Sequence, residues 1–362
     1  MCTMPNITPY ERLRKTLAHQ QPDRPPIHSW LTSEVQTSLE SHFQRCFGNG
    51  NVLDILDVDF RWVGPRWKQQ ECAVPAPAAS ALPNGIYQDV RVKPLAWIRT
   101  LDDVSRYKPE RDPEAFDFSV LADMCKATAP FIRVFGSPGL FDIVNGLGAR
   151  GFGLEDLLCN ILTEDPVTVA VVDKHLEHDY EFCRRGLEAG HGQIEILHIG
   201  EDCGNQRAAL FPPSFFRTFF APRLRRFADL AHRHGAACML HSCGSMRELL
   251  PILIDEVGLD IQDACQPEAA GMEPEGLKRD FGGRITFCGM LSLQKTLTHG
   301  TPEDCRREAR RLIDRIGEGG GYIFSPANTI TKDTPLENIL AAYEVATGKR
   351  LQQGPNAMTG AE

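Results

Sequence analysis

The sequence predicts an α/β protein, a single (β/α)8 TIM barrel with an N-terminal helical extension, and three observations carry that prediction. Short apolar, β-branched runs recur along the last two thirds of the chain; stretches with helical spacing lie between them; and one helix-start formula occurs three times. Residues 1–25 read as the extension, 26–347 as the barrel and 348–362 as a flexible tail.

The elements follow in order. Thr8-Pro9-Tyr10-Glu11, Thr301-Pro302-Glu303-Asp304 and Thr334-Pro335-Leu336-Glu337 each offer a capping hydroxyl, a proline with preset φ and an acid at the third helical position. Residues 26–30 (PIHSW) and 55–62 (ILDVDFRW) are strand candidates near the start. Residues 71–85 (ECAVPAPAASALPNG) read as an extended loop or flap. Buried parallel strands follow at 130–136 (PFIRVFG), 194–202 (IEILHIGED), 237–243 (ACMLHSC), 259–266 (LDIQDACQ), 284–290 (RITFCGM) and 322–328 (YIFSPAN), which brings the strand count to eight. Segments 165–187, 212–234 and 301–316 carry apolar residues at helical spacing. A doubly wound open sheet is the alternative architecture.

Composition narrows the function. The net charge of −9 argues against a protein built to grip nucleic acid or an anionic membrane, and a small-molecule enzyme fits better. Residues 1–6 lack the pattern of a signal peptide, and no apolar run approaches the roughly 18 residues of a membrane helix, so a cytoplasmic location is expected. The 12 cysteines include no CxxC pair and read as reduced thiols or ligands, with Cys159 and Cys183 in helical core positions. Charge leaves the oligomeric state, homodimer included, open.

In a barrel the C-terminal strand ends surround the active site. His241 and Cys243 end one run two residues apart, so both can face the mouth, and imidazole with thiolate is a start for zinc. A catalytic zinc usually takes three protein ligands. Cys288 is one candidate for the third; Glu201, Asp202 and Cys203 at another strand end are the others. Glu201 and Asp202 are also candidate acid/base or orienting groups. Asn328, after the last strand, can offer a donor and an acceptor to a substrate, although turn chemistry also accounts for it. Residues 146–151 match the GxGxxG string without the second strand and acid of a dinucleotide site.

Five segments together resemble the uroporphyrinogen decarboxylase superfamily, specifically its methyltransferase-like branch: ERLRKTLAHQQPDRPPIHSW, GEDCGNQRAALFPPSFFRTFFAPRLRRF, HSCGSMRELLPILIDEVGLDIQ, FCGMLSLQKTLTHGTPED and GGGYIFSPANTITKDTPLENILAAYE. The resemblance covers nearly the whole chain and implies a TIM barrel. It implies one of two chemistries. True decarboxylases of the family use no metal and hold a tetrapyrrole's carboxylates through arginines after the first strand, where this chain has His28-Ser29-Trp30-Leu31-Thr32-Ser33 and no arginine. The corrinoid-dependent methyltransferases bind zinc through a His-x-Cys pair and a later Cys. His241 and Cys243 match the pair, and Asn328 stands at the later Cys, which leaves Cys288 or the acids near Glu201 to complete the site.

The resemblance thus implies zinc-dependent methyl transfer or demethylation between a small substrate or thiol and a corrinoid on a separate protein. The barrel and its flanking helices use nearly all of these residues, so the corrinoid is expected on a separate protein. His28, Gln206 and Gln294, which lie in the matched segments, join Asn328 as candidate substrate-binding side chains. A metal-independent decarboxylase acting on a tetrapyrrole or other carboxylic acid is the alternative. A barrel repurposed to bind a corrinoid protein or tetrapyrrole is the third reading.

Overall fold

A computed structural model describes residues 7–68, 93–109 and 111–352, so the predicted flap at 71–85 lies outside the described residues, as do the ends 1–6 and 353–362. Seven parallel strands form one sheet in the order β1-β4-β5-β6-β7-β8-β9: β1 (Phe60–Val63), β4 (Ile132–Gly136), β5 (Ile196–Gly200), β6 (Ala237–His241), β7 (Ile261–Cys265), β8 (Thr286–Leu291) and β9 (Tyr322–Pro326). Two short strands, β2 (Arg66–Trp67) and β3 (Phe116–Asp117), pair separately and antiparallel. Strands β5, β7, β8 and β9 are buried along their whole length, the pattern of parallel strands covered on both faces.

The sheet curls, and residues 26–31 join its two edges. Phe324 N–H donates to Pro26 O at 2.8 Å, His28 N–H to Phe324 O at 2.9 Å, and Asp59 N–H to Ile27 O at 2.8 Å, so the segment touches both β9 and the start of β1. The strand expected at 26–30 is present only as isolated bridges, Ile27 to Phe324 and Leu31 to Ile330. Pro25 and Pro26 have no N–H to give a ladder, which keeps this pairing short. The result is a curled parallel sheet of seven strands, compatible with a TIM-like barrel.

Local chemistry explains most element boundaries. Thr8 and Thr301 each form a full capping box, at the helices Pro9–Leu17 and Pro302–Arg311. The third occurrence of the formula behaves differently. The helix Leu336–Thr347 begins at Leu336 with Pro335 as its cap, and the buried Thr334 donates its N–H to Thr331 O instead. In the run 55–62, Ile55 ends a short helix (Val52–Ile55) and Asp57 has φ of 49°, so extended backbone starts only at Phe60. Residues 348–352, read as tail, are packed: Lys349 Nζ lies 2.6 Å from Asp57 Oδ1, and Leu351 is buried. Cys183 is buried as expected, whereas Cys159 is exposed; the described cysteines are free thiols. Among the described residues no helix is long and apolar enough to cross a membrane.

The first helix closes the N-terminal ends of the strands. Arg12 is buried and pairs with Asp23 and Asp59, each at 2.6 Å. Asp59 also takes Arg24 at 2.6 Å and the Ile27 N–H at 2.7 Å, so one carboxylate ties the first helix, the joining segment and the foot of β1. Asp59→Ala leaves the buried Arg12 guanidinium without that partner and is expected to lower unfolding free energy by about 3–5 kcal/mol. Denaturant titration checks it, and a loss below about 1 kcal/mol, the range of an exposed pair, would remove Asp59 from this role.

Candidate active site at the strand C-termini

Strand register decides which side chains meet. β5 pairs with β6 so that Gly200 is opposite His241, which brings Asp202 beside Cys243 two residues further on. The contact is direct: Cys243 N–H donates to Asp202 Oδ1 at 2.8 Å, and Asn145 Nδ2 donates to Asp202 Oδ2 at 2.8 Å. His241 Nε2 lies 3.8 Å from Cys243 Sγ. Gly244, with φ of 79°, allows the chain to turn immediately after Cys243; a Cβ there would come within 2.6 Å of the Gly204 backbone. Potential ligand atoms of Asp202, His241 and Cys243 all lie within 4.8 Å of one another.

The opposite nitrogen of His241 is engaged by β7. Asp263 is the register partner of His241, and its Oδ2 is 2.7 Å from His241 Nδ1 and 3.3 Å from His198 Nε2. Burial disfavours a charge on Asp263, but hydrogen bonds from His198 and His241 outweigh it and hold the carboxyl well below its usual range. Burial likewise opposes charge on His241, and its bonds to Asp263 and Cys243 reverse that, raising its pKa well above the ordinary value. With Asp263 accepting at Nδ1, Nε2 is directed at Cys243 and Asp202.

Glu201 has a different environment from its neighbour. It is buried, and its two oxygens accept the N–H groups of Ile143 at 2.7 Å and Val144 at 3.0 Å, at the start of the π-type helix Ile143–Phe152. Burial, then the nearby charge of Asp142, pushes its pKa well above the usual carboxylate range. The structure therefore brings Asp202 to the cluster and uses Glu201 to hold a helix. The GxGxxG string at 146–151 lies inside that same helix.

Cys288 is not among the gathered ligand atoms. β8 continues past it to Leu291, paired with β9 as far as Pro326, so Cys288 sits within the strand instead of ending it. Its thiol is fully buried, and burial followed by the charge of Asp263 pushes its pKa well above normal. Asn328 does reach the cluster: its Nδ2 donates to Cys243 Sγ at 3.1 Å. His28 lies deeper, 2% exposed, with Nδ1 3.3 Å from Ser325 Oγ; burial lowers its pKa to about 4, so it is neutral. Gln206 is exposed and approaches Gln266, whose Oε1 accepts the Gly244 N–H at 2.8 Å. Gln294 is exposed on the one-turn helix Leu293–Leu297, away from these contacts.

Sequence reasoning did not single out Asp263, His198, Asn145 or the tryptophans. An acid in the middle of LDIQDACQ, a run expected to be a strand buried on both faces, and a histidine within IEILHIGED, were the available signals for the first two. Trp30 and Trp62 form an aromatic wall: their ring centroids are 5.1 Å apart and lie 5.7 and 5.2 Å from that of His198. Trp62 is 37% exposed, so part of the wall faces solvent.

Comparison with known proteins agrees with this architecture. A uroporphyrinogen decarboxylase from Pseudoalteromonas translucida (strain TAC 125) is 33% identical over 61 residues, which is 17% of this chain and 17% of that protein. A methyltransferase from Methanosarcina mazei superposes with a TM-score of 0.60 at 17% identity, covering 94% of this chain and 99% of that one, a likeness of fold. The family model for uroporphyrinogen decarboxylase (URO-D) matches residues 95–348, the span that contains β3 to β9 and every residue of the cluster. The chain belongs to the uroporphyrinogen decarboxylase (URO-D) family.

Proposed function

We propose that this family member is a zinc-dependent methyltransferase, moving a methyl group between a small methylated substrate or thiol and a corrinoid carried by a partner protein. The observation that carries the reading is the convergence of Asp202, His241 and Cys243 at one strand-end site. Their donor set, a carboxylate oxygen, an imidazole nitrogen and a thiol sulfur, fits zinc, and three protein ligands leave a position for substrate. Asp202 thus takes the third place, in preference to Cys288. Zinc held there would act as a Lewis acid on a bound thiol or alcohol, lowering its pKa toward neutrality.

The chain's own residues supply the remaining work. Asp263 fixes the rotation and tautomer of His241. Asn145 and the Cys243 N–H hold both oxygens of Asp202, so the carboxylate is oriented before any ligand arrives. Trp30 and Trp62 give the site an apolar side that excludes water from part of the mouth. Asn328, whose amide reaches Cys243, and the exposed Gln206 and Gln294 are the polar side chains assigned to substrate on this reading.

A metal-independent decarboxylase is the second reading, supported by the name of the Pseudoalteromonas relative over its short match. Against it stands residues 28–33, which contain no arginine to receive a polycarboxylate. Metal content separates the two readings. Elemental analysis of untagged protein purified without chelator should find about one zinc per chain. Cys243→Ser should lose the zinc while keeping the wild-type circular dichroism spectrum, and His241→Ala should lose it with a lowered unfolding midpoint, because the buried Asp263 then loses its 2.7 Å partner. Folded wild type that is metal-free and takes up no added zinc would overturn the methyltransferase reading.

The ligand assignment has its own test. Asp202→Asn should weaken zinc binding strongly, Cys288→Ser should leave it within a factor of about two, and Asp263→Asn should weaken it about 10–100-fold by freeing the His241 ring. Competition against a chromophoric chelator measures all three; a loss with Cys288→Ser and none with Asp202→Asn would exchange their roles.

A further inference from the structure

Asn328 lies just beyond β9, half-buried, with its amide against the sulfur of Cys243. Nδ2 donates to Sγ at 3.1 Å, and the orientation of the amide is set by its other end, where Thr329 N–H donates to Oδ1 at 2.7 Å. Reversing the amide would turn an N–H group toward the Thr329 N–H, two donors face to face. In the observed orientation Asn328 presents a nitrogen that has no lone pair for a metal, so it is a partner of a ligand and not a ligand. Two groups face the sulfur of Cys243, this amide and His241 Nε2, while its backbone N–H donates to Asp202 and its carbonyl accepts from the Ser242 hydroxyl.

We propose that Asn328 is a positioning residue that tunes Cys243, its N–H drawing charge from the sulfur so that a metal held by Cys243, His241 and Asp202 is left more electron-poor. The inference rests on the zinc reading above. Hydrogen bonds to a ligating sulfur reduce its electron donation, a recognised lever on metal sites held by cysteine. A carboxylate oxygen in the third place is also a harder donor than a second sulfur. Both features act in one direction: the metal holds more of its charge and polarises a bound substrate atom more strongly. Asn328 therefore contributes to the strength of the Lewis acid without touching it.

Cobalt(II) is the probe, because the energy of its sulfur-to-metal charge-transfer absorption reports electron density on the sulfur. Asn328→Ala removes both amide contacts. Asn328→Asp keeps an oxygen for the Thr329 N–H but removes the N–H that faces sulfur, so it separates a turn-forming role from the donor role. With cobalt(II) titrated into metal-free wild type and both variants, the charge-transfer band should move to longer wavelength in both variants while one cobalt still binds per chain. A role in packing or in the turn alone would lower the fraction of chains that bind cobalt, or restore wild-type behaviour in Asn328→Asp, without moving the band, and that result overturns the proposal. Wild type that shows no sulfur-to-cobalt band at all removes the zinc reading and this inference with it, whereas a band that is present and identical in all three proteins removes this inference alone.

Discussion

The site depends on a buried negative charge. Asp263 sits on β7 in the interior of the sheet, 1% exposed, where an unpaired carboxylate would be strongly disfavoured. Two imidazoles make it tolerable, His241 from β6 and His198 from β5, and the three strands must keep their register for that to hold. The dependence runs both ways. Because Asp263 accepts from His241, the imidazole cannot rotate freely, and its second nitrogen is committed to the side where Cys243 and Asp202 lie. A charge that is costly to bury is what gives the mouth its fixed geometry.

Alternation along one strand then divides the work of two adjacent acids. Glu201 and Asp202 follow β5 directly, and their side chains leave in different directions. Glu201 is buried and accepts two backbone N–H groups of the helix Ile143–Phe152, a use in which both oxygens are consumed. Asp202 stays half-buried beside Cys243 and receives Asn145 from that same helix. The helix is therefore attached to the strand end twice, once for support through Glu201 and once at the site through Asn145. Asn145 lies in the first turn of this helix, where Asp142 caps its N–H, so the same turn that is bonded to Glu201 also carries the amide that reaches Asp202.

This division also marks the limit of what the sequence could tell. The six strands expected from 130 onward are all present, because runs buried on both faces carry a signal independent of their partners. His241 and Cys243 were legible for a similar reason, since a spacing of two on one strand already implies a shared face. Their third companion was not legible. Choosing among Cys288, Glu201 and Asp202 requires knowing that Gly200 is opposite His241 and that β8 runs on to Leu291, and both are facts of pairing between segments far apart in the chain. Asp263 was hidden by the same circumstance: an acid in the middle of a strand buried on both faces announces that a partner exists, not which strand supplies it. The failed cap at Thr334 has a local cause, for a formula that names residues cannot reveal that the threonine is already part of a preceding turn.

On the proposed reading, Cys288 shows why proximity in the fold is not sufficient for ligation. A thiol must lose its proton to bind zinc well, and Cys288 is in a setting that opposes this, buried and beside the charge of Asp263. Cys243 is half-exposed at a strand end, and the amide of Asn328 offers a hydrogen bond to its sulfur. On the proposed reading these surroundings select one sulfur, one nitrogen and one oxygen from a region that contains several of each. The tryptophan wall adjoins the same group through Trp30, whose ring centroid is 6.5 Å from that of His241, so a substrate atom bound at the open position would have polar ligands on one side and an apolar surface on the other. Charge developing on that atom would be stabilised by the metal in surroundings where water competes less, and this is the condition under which a Lewis acid is most effective.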